Sequence, residues 1–136
     1  MSPATEPAPR PARILVVDDE RDNRELLEII LTHEGFVVET AADGPAALAA
    51  VAREAPDLVL LDVMMPGMTG YQVAERLKAD PATRGVPLVM VSALYDRDSR
   101  ALALKAGAED FFAKPMPGAE LCGRVRYHLH VKTHGK

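Results

Sequence analysis

Tryptophan is absent from this 136-residue chain, and cysteine occurs once, as Cys122. A lone thiol closes no internal disulfide, so packing must hold the core, and a reducing compartment suits such a chain. Cys122 falls in a helical pattern beside Leu121 and Val125, which reads as a small packing residue. An excess of basic charge is also missing: the formal net charge is −4 and the pI about 5.5. That balance argues against a nucleic-acid or anionic-membrane surface. No apolar run reaches the roughly 18 residues of a membrane span. The N-terminus, MSPATEPAPRPA, carries four prolines and no apolar stretch. It reads as a disordered, proline-rich tail over residues 1–12 and not as a signal peptide. A cytoplasmic location is expected. There is no internal repeat, and no composition break marks a second domain; the length suits one domain with a real core. The expected bounds are 13–131 for the domain and 132–136 for a short C-terminal tail.

From Arg13 onward two kinds of segment alternate. RILVVD is a short β-branched run, and RDNRELLEIILTHEG follows with Leu26, Leu27, Ile30 and Leu31 at helical spacing and Gly35 as a stop. FVVET, DLVLLD, VPLVMVS and EDFFAK read as four more strands. DGPAALAAVAREA, TGYQVAERLKAD, DRDSRALALKAG and GAELCGRVRYHLHVK read as four more helices. No hairpin turn signal separates successive strands, so the sheet should be parallel and covered on both faces. Right-handed crossovers then predict an α/β fold, a doubly wound five-stranded sheet with five helices of flavodoxin-like type, although pattern alone leaves the strand order open.

Ligands of such sheets bind beyond the carboxyl ends of the strands. The first strand ends in Asp18-Asp19-Glu20, the third in Asp62, the fourth in Ser92 and the fifth in Lys114-Pro115. Asp62 is the odd residue, because an apolar strand buried on both faces is a poor place for a charge. Taken alone, Asp18 and Asp19 could cap the following helix. Taken together, the acids would repel one another unless a cation joined them, and oxygen-only ligands favour Mg²⁺. A carboxylate beside Mg²⁺, with a lysine and a hydroxyl nearby, can hold a phosphoryl group and can itself be the nucleophile. Met64, Met65 and Met68 follow in the loop and suit packing or partner contact better than metal binding. His128, His130 and His134 read as solvated residues near a helix C-terminus.

The acidic pair Asp18-Asp19, Asp62 followed by MMPGMTG, Ser92-Ala93, and KAGAEDFFAKP over residues 105–115 occur in order on successive strand ends. From Arg13 to about Val131 the chain resembles the CheY-like receiver domain of two-component response regulators. The resemblance implies that Asp62 is the phosphoacceptor. Asp19, the Asp62 carboxylate and the Met64 main-chain carbonyl would ligate Mg²⁺, with Asp18 on a metal-bound water. Ser92, Ala93 and Lys114 would meet the phosphoryl group, with a cis peptide before Pro115. Phe111 would be the switch aromatic, moving inward when Ser92 shifts and coupling by packing because it lacks the hydroxyl of the more usual tyrosine. The implied donor is a histidine kinase or phosphotransfer protein, and the implied output is partner binding or a phosphorylation-dependent homodimer. Neither nucleic acid nor membrane is expected as a direct partner.

Two other functions compete. A metal-dependent aspartyl-phosphate phosphatase usually carries a second aspartate two residues after its nucleophile, where this chain has Met64. A flavin carrier needs a phosphate loop after the first strand, where DDE would repel the flavin phosphate. The chain could also be the receiver of a longer multidomain regulator. In receivers, side chains at the positions of Met64 and Leu94 flank the approach of hydrolytic water. Neither can hold a water here, so slow loss of the phosphoryl group is expected.

Overall fold

A computed structural model describes residues 10–93 and 96–134, with side chains through Lys132. Most of the proline-rich segment, Leu94 and the last two residues lie outside the described residues. Strands and helices alternate as β1 (Arg13–Val17), α1 (Arg21–His33), β2 (Val37–Ala41), α2 (Gly44–Arg53) and β3 (Leu58–Asp62). They continue as α3 (Gly70–Ala79), β4 (Leu88–Ser92), α4 (Arg97–Lys105), β5 (Asp110–Ala113) and α5 (Gly118–His134). All neighbouring strands pair in parallel. The order β2-β1-β3-β4-β5 supplies what periodicity left open.

The strands sort by how continuous their apolar runs are. LVLLD and LVMVS are buried at every residue and occupy the sheet interior as β3 and β4. VVETA, with polar Glu39 and Thr40, forms the edge strand β2. Alternation along each strand divides the core in two. Leu15, Val17, Val59, Leu61, Met90 and Phe111 pack against α2, α3 and α4. Ile14, Val16, Leu60, Val91 and Phe112 pack against Leu31 of α1 and Leu121, Cys122 and Val125 of α5. Each fully buried leucine or phenylalanine contributes about 1.5–3 kcal/mol of transfer free energy.

Helix ends follow local chemistry. Asp43 and Asp96 accept from Ala46 and Ser99 amides, each at 2.8 Å, and start α2 and α4. Thr69 and Gln72 form a reciprocal capping box at α3. Gly35, at φ +95°, closes α1 while its amide donates to the Thr32 carbonyl.

Two helix readings need correction. Of the expected apolar face of α1, Leu31 is buried and Leu27 and Ile30 pack partly, but Leu26 is 55% exposed. Leu26 sits about 100° around the helix from Leu27, off the stripe that meets the sheet. Helix α5 runs through His134, so most of the stretch expected as a C-terminal tail is helical.

Candidate functional site

Parallel registry places the carboxyl ends of β1, β3, β4 and β5 along one rim. Val17 lies beside Leu61, Asp62 beside Val91, and Ser92 beside Ala113. The Lys114 amide donates to the Ser92 carbonyl at 2.9 Å, so the lysine leaves β5 directly beside the end of β4. Its side chain then reaches across the rim, with Nζ 2.9 Å from Asp18 Oδ2 and 3.3 Å from Asp62 Oδ1. Single carboxylate oxygens of Asp18, Asp19 and Asp62 all lie within 4.8 Å of one another. Asp18, Asp62 and Ser92 are buried, whereas Asp19 is partly exposed.

Asp18 and Asp19 do not cap α1. The N-cap is Glu20, and no side chain bonds the first-turn amides there. Instead Asp18 Oδ1 accepts the Glu20 amide at 2.9 Å, tightening the turn between β1 and α1. The Asp19 carboxylate has no hydrogen-bond or ion-pair partner among the described residues. Close approach behind the site depends on Gly70. A Cβ there would overlap the Asp62 carbonyl oxygen and lie 2.8 Å from Val63 Cα, so α3 can start against the end of β3 only without a side chain at that position.

Burial raises the Asp62 pKa from 3.8 to about 6; nearby Lys114 pulls it down and the Asp18 charge adds to the rise. The Met64 main-chain amide, close by in the chain, also favours its charged form. Burial alone would lower the Lys114 pKa. The Asp18 hydrogen bond and the charges of Asp62 and Asp18 outweigh it and hold the lysine above its usual value. The rim is therefore short of positive charge, and its donor set is hard oxygen. Such a set fits Mg²⁺.

The remaining candidates are spread around this centre. Ala93 is exposed next to Ser92. Met64 is 56% exposed, while Met65 and Met68 pack into the core. Phe111 is already buried, at 2% exposure, in the cluster beneath α4. Leu94, expected to flank the water approach with Met64, lies outside the described residues.

The histidine reading is wrong at one position. His128 is buried, and its Nε2 lies 2.9 Å from Asp110 Oδ2. Arg124 Nη1 donates to both oxygens of the same carboxylate, at 2.9 and 2.7 Å. The signal was available: Leu121, Val125 and His128 recur at helical spacing, which puts His128 on the stripe facing the sheet. His130 is exposed, as expected. Arg24 also escaped sequence reasoning, and its Nη1 donates to the Asp18 carbonyl at 2.9 Å.

A doubly wound parallel sheet with an under-neutralised acidic centre and a reaching lysine at its carboxyl rim defines a class of α/β domain built around an anionic ligand and a cation. The comparisons make the class specific. Residues 14–126 match the family described as the response regulator receiver domain, and the chain belongs to that family. It is 54% identical over 115 residues to the response regulator PleD of Caulobacter vibrioides, covering 85% of this chain and 25% of PleD. It is 48% identical over 117 residues to the DNA-binding response regulator MtrA of Mycobacterium tuberculosis, covering 86% of this chain and 50% of MtrA. A CheY-like receiver domain structure from Methanospirillum hungatei superimposes with a TM-score of 0.87 at 28% identity, covering 93% of this chain and all of that one. The chain thus spans a quarter to a half of the curated relatives' length. MtrA is named as DNA-binding, so the expectation that nucleic acid is no direct partner has no support from these relatives. Receiver domains are signalling modules phosphorylated by histidine kinases, and they bind Mg²⁺ at an acidic pocket. No described helix is long and apolar enough to cross a membrane.

Proposed function

We propose that Asp62 is the phosphoacceptor of this receiver and that Lys114, Ser92 and Ala93 hold the transferred group. Asp19, the Asp62 carboxylate and the Met64 main-chain carbonyl are the proposed Mg²⁺ ligands, with Asp18 on a metal-bound water. The observation that carries the reading is the position of Asp62: a buried carboxylate at the end of an apolar strand, 3.3 Å from Lys114. Asp19 supports it as a carboxylate left open beside two buried ones. When bound, Mg²⁺ would neutralise charge on the phosphoryl oxygens and the acidic cluster.

In the transfer, an Asp62 oxygen forms a bond to phosphorus while the bond from phosphorus to the donor's imidazole nitrogen breaks. The electron pair leaves with that nitrogen, which takes up a proton. Positioning and charge neutralisation do most of the work. Lys114 exchanges carboxylate partners for a phosphoryl oxygen, so its charge stays paired throughout. The donor is a histidine kinase or phosphotransfer protein in the cytoplasm. Phe111, lacking a hydroxyl, passes the change to the face formed by α4, β5 and α5 through packing, and that face meets a partner or a second copy.

The test is labelling by acetyl phosphate. Asp62→Asn should abolish it while the fold survives, and Asp19→Ala should suppress it by weakening Mg²⁺ binding. Robust labelling of the Asp62 variant would overturn the assignment.

A further inference from the structure

We propose that Arg24 is a positioning residue for the Mg²⁺ site, acting through the main-chain carbonyl of Asp18; this rests on the receiver reading above.

The turn from β1 to α1 is held at every polar atom of Asp18. The Asp18 amide donates to the Ala41 carbonyl at 3.1 Å, Oδ1 accepts the Glu20 amide at 2.9 Å, and Oδ2 accepts Lys114 at 2.9 Å. The Asp18 carbonyl accepts Arg24 Nη1 at 2.9 Å, and the Arg24 amide donates to the Glu20 carbonyl at 3.0 Å. The Arg24 side chain thus holds the peptide group before Asp19, and Asp18 Oδ1 holds the one after it. The two peptide groups that aim the Asp19 side chain are fixed, while its carboxylate is left open. A guanidinium is suited to this task because it stays charged at every relevant pH and cannot give up its proton to the acids around it. Lys114 is the other cation on Asp18, and in the proposed mechanism it moves to the phosphoryl group. Arg24 remains on the turn when that happens.

Placement and charge predict opposite signs. A bare positive charge near a cation site repels the cation, so removing it should tighten Mg²⁺ binding. A positioned donor that organises the site should, when removed, weaken it. Losing a charge-assisted hydrogen bond of this kind corresponds to roughly a tenfold rise in dissociation constant.

The experiment is a Mg²⁺ titration of the full chain, read by calorimetry and by the amide shifts of Asp19 and Glu20, with thermal unfolding measured separately in chelator. Arg24→Met should raise the Mg²⁺ dissociation constant about tenfold. Arg24→Lys, which keeps a donor, should recover part of the loss, and acetyl phosphate labelling should shift mainly through its Mg²⁺ requirement. Arg24→Gln serves the same comparison should the methionine variant fold poorly. Unchanged or tighter Mg²⁺ binding in the variants, whatever their melting temperature, would overturn the proposal and leave the receiver reading intact. A wild-type chain whose Asp19 and Glu20 amides ignore Mg²⁺ would remove both together.

Discussion

Asp62→Asn should make the metal-free protein more stable at neutral pH, although it removes the residue on which the site depends. Burial lifts the Asp62 pKa from 3.8 to about 6. A carboxyl with a raised folded-state pKa holds its proton more tightly in the folded chain than in the unfolded one. Stability therefore falls as pH rises from 3.8 to about 6, and the full penalty is present above that window. At about 1.4 kcal/mol per pH unit, the gap amounts to roughly 3 kcal/mol. That gap is already net of Lys114, which lies 3.3 Å from Asp62 and pulls its pKa down, so the variant's loss of this pairing is included in it. The expected net gain is about 1–3 kcal/mol at pH 7.5, or roughly 3 °C in Tm for each kcal/mol. It should fade to nothing as pH falls well below 3.8, where both states of the wild type are protonated. The assay is urea or thermal unfolding of both proteins in chelator across that range. Adding Mg²⁺ should then stabilise the wild type by about 1.4 kcal/mol at ten times its dissociation constant, and the variant by less. A difference between the two proteins that does not change with pH, or a wild type that is the more stable at pH 7.5 in chelator, would refute the account of Asp62 as a buried, under-neutralised charge.

The face of α4, β5 and α5 should change its association when a beryllofluoride mimic occupies the site. The two acids at the start of β5 are engaged within the chain, Asp110 by Arg124 and His128 and Glu109 by Lys78, so Arg124→Met should alter that response; identical sedimentation and identical amide shifts on this face with and without the mimic would rule it out. Met64→Asn should speed loss of the phosphoryl group from Asp62 a few-fold, because an amide can hold the hydrolytic water that a thioether cannot, a contact worth roughly 1 kcal/mol. Decay in the wild type as fast as in the variant would defeat that argument.

The parts of the protein legible in its sequence are those in which one-dimensional pattern maps directly onto geometry. LVLLD and LVMVS announce interior strands because both faces of each are apolar, and the site residues announce themselves by standing where those runs stop. Strand order was not legible, since it depends on which runs pack side by side and every crossover has the same hand. Side-chain pairing across distant segments was hidden for a similar reason. Helical spacing turns His128 toward the sheet, but nothing in that spacing names Asp110, eighteen positions earlier on β5, as its partner. Arg24 looks like one of several exposed charges on α1 until the β1–α1 turn folds back beneath it. Gly70 reads only as the start of the helix TGYQVAERLKAD, whereas its role is the absence of a side chain against the end of β3.

The distribution of charge around the sheet locates the site independently of any motif. At the amino ends of the strands each acid has a partner. Arg13 donates its amide to Asp57 at 2.7 Å and pairs with Glu39, which also meets Arg53. Glu109 meets Lys78 at 2.9 Å and accepts the Leu88 amide, while Asp110 is shared by Arg124 and His128. Burial raises the Asp110 pKa, but the hydrogen bonds from His128 and Arg124 more than offset it, and the group ends below its ordinary value. At the carboxyl ends the pattern reverses. Asp18 and Asp62 share Lys114, Asp19 has no partner among the described residues, and the Asp62 pKa is raised. Two acids at opposite ends of one sheet thus shift in opposite directions. Packing alone does not require this, since burial disfavours the Asp62 charge and an amide there would avoid that cost. A fold that neutralises its acids at one end and leaves them short of charge at the other is arranged to receive a cation there, and the lysine that bridges two of those acids is arranged to leave them for an anion.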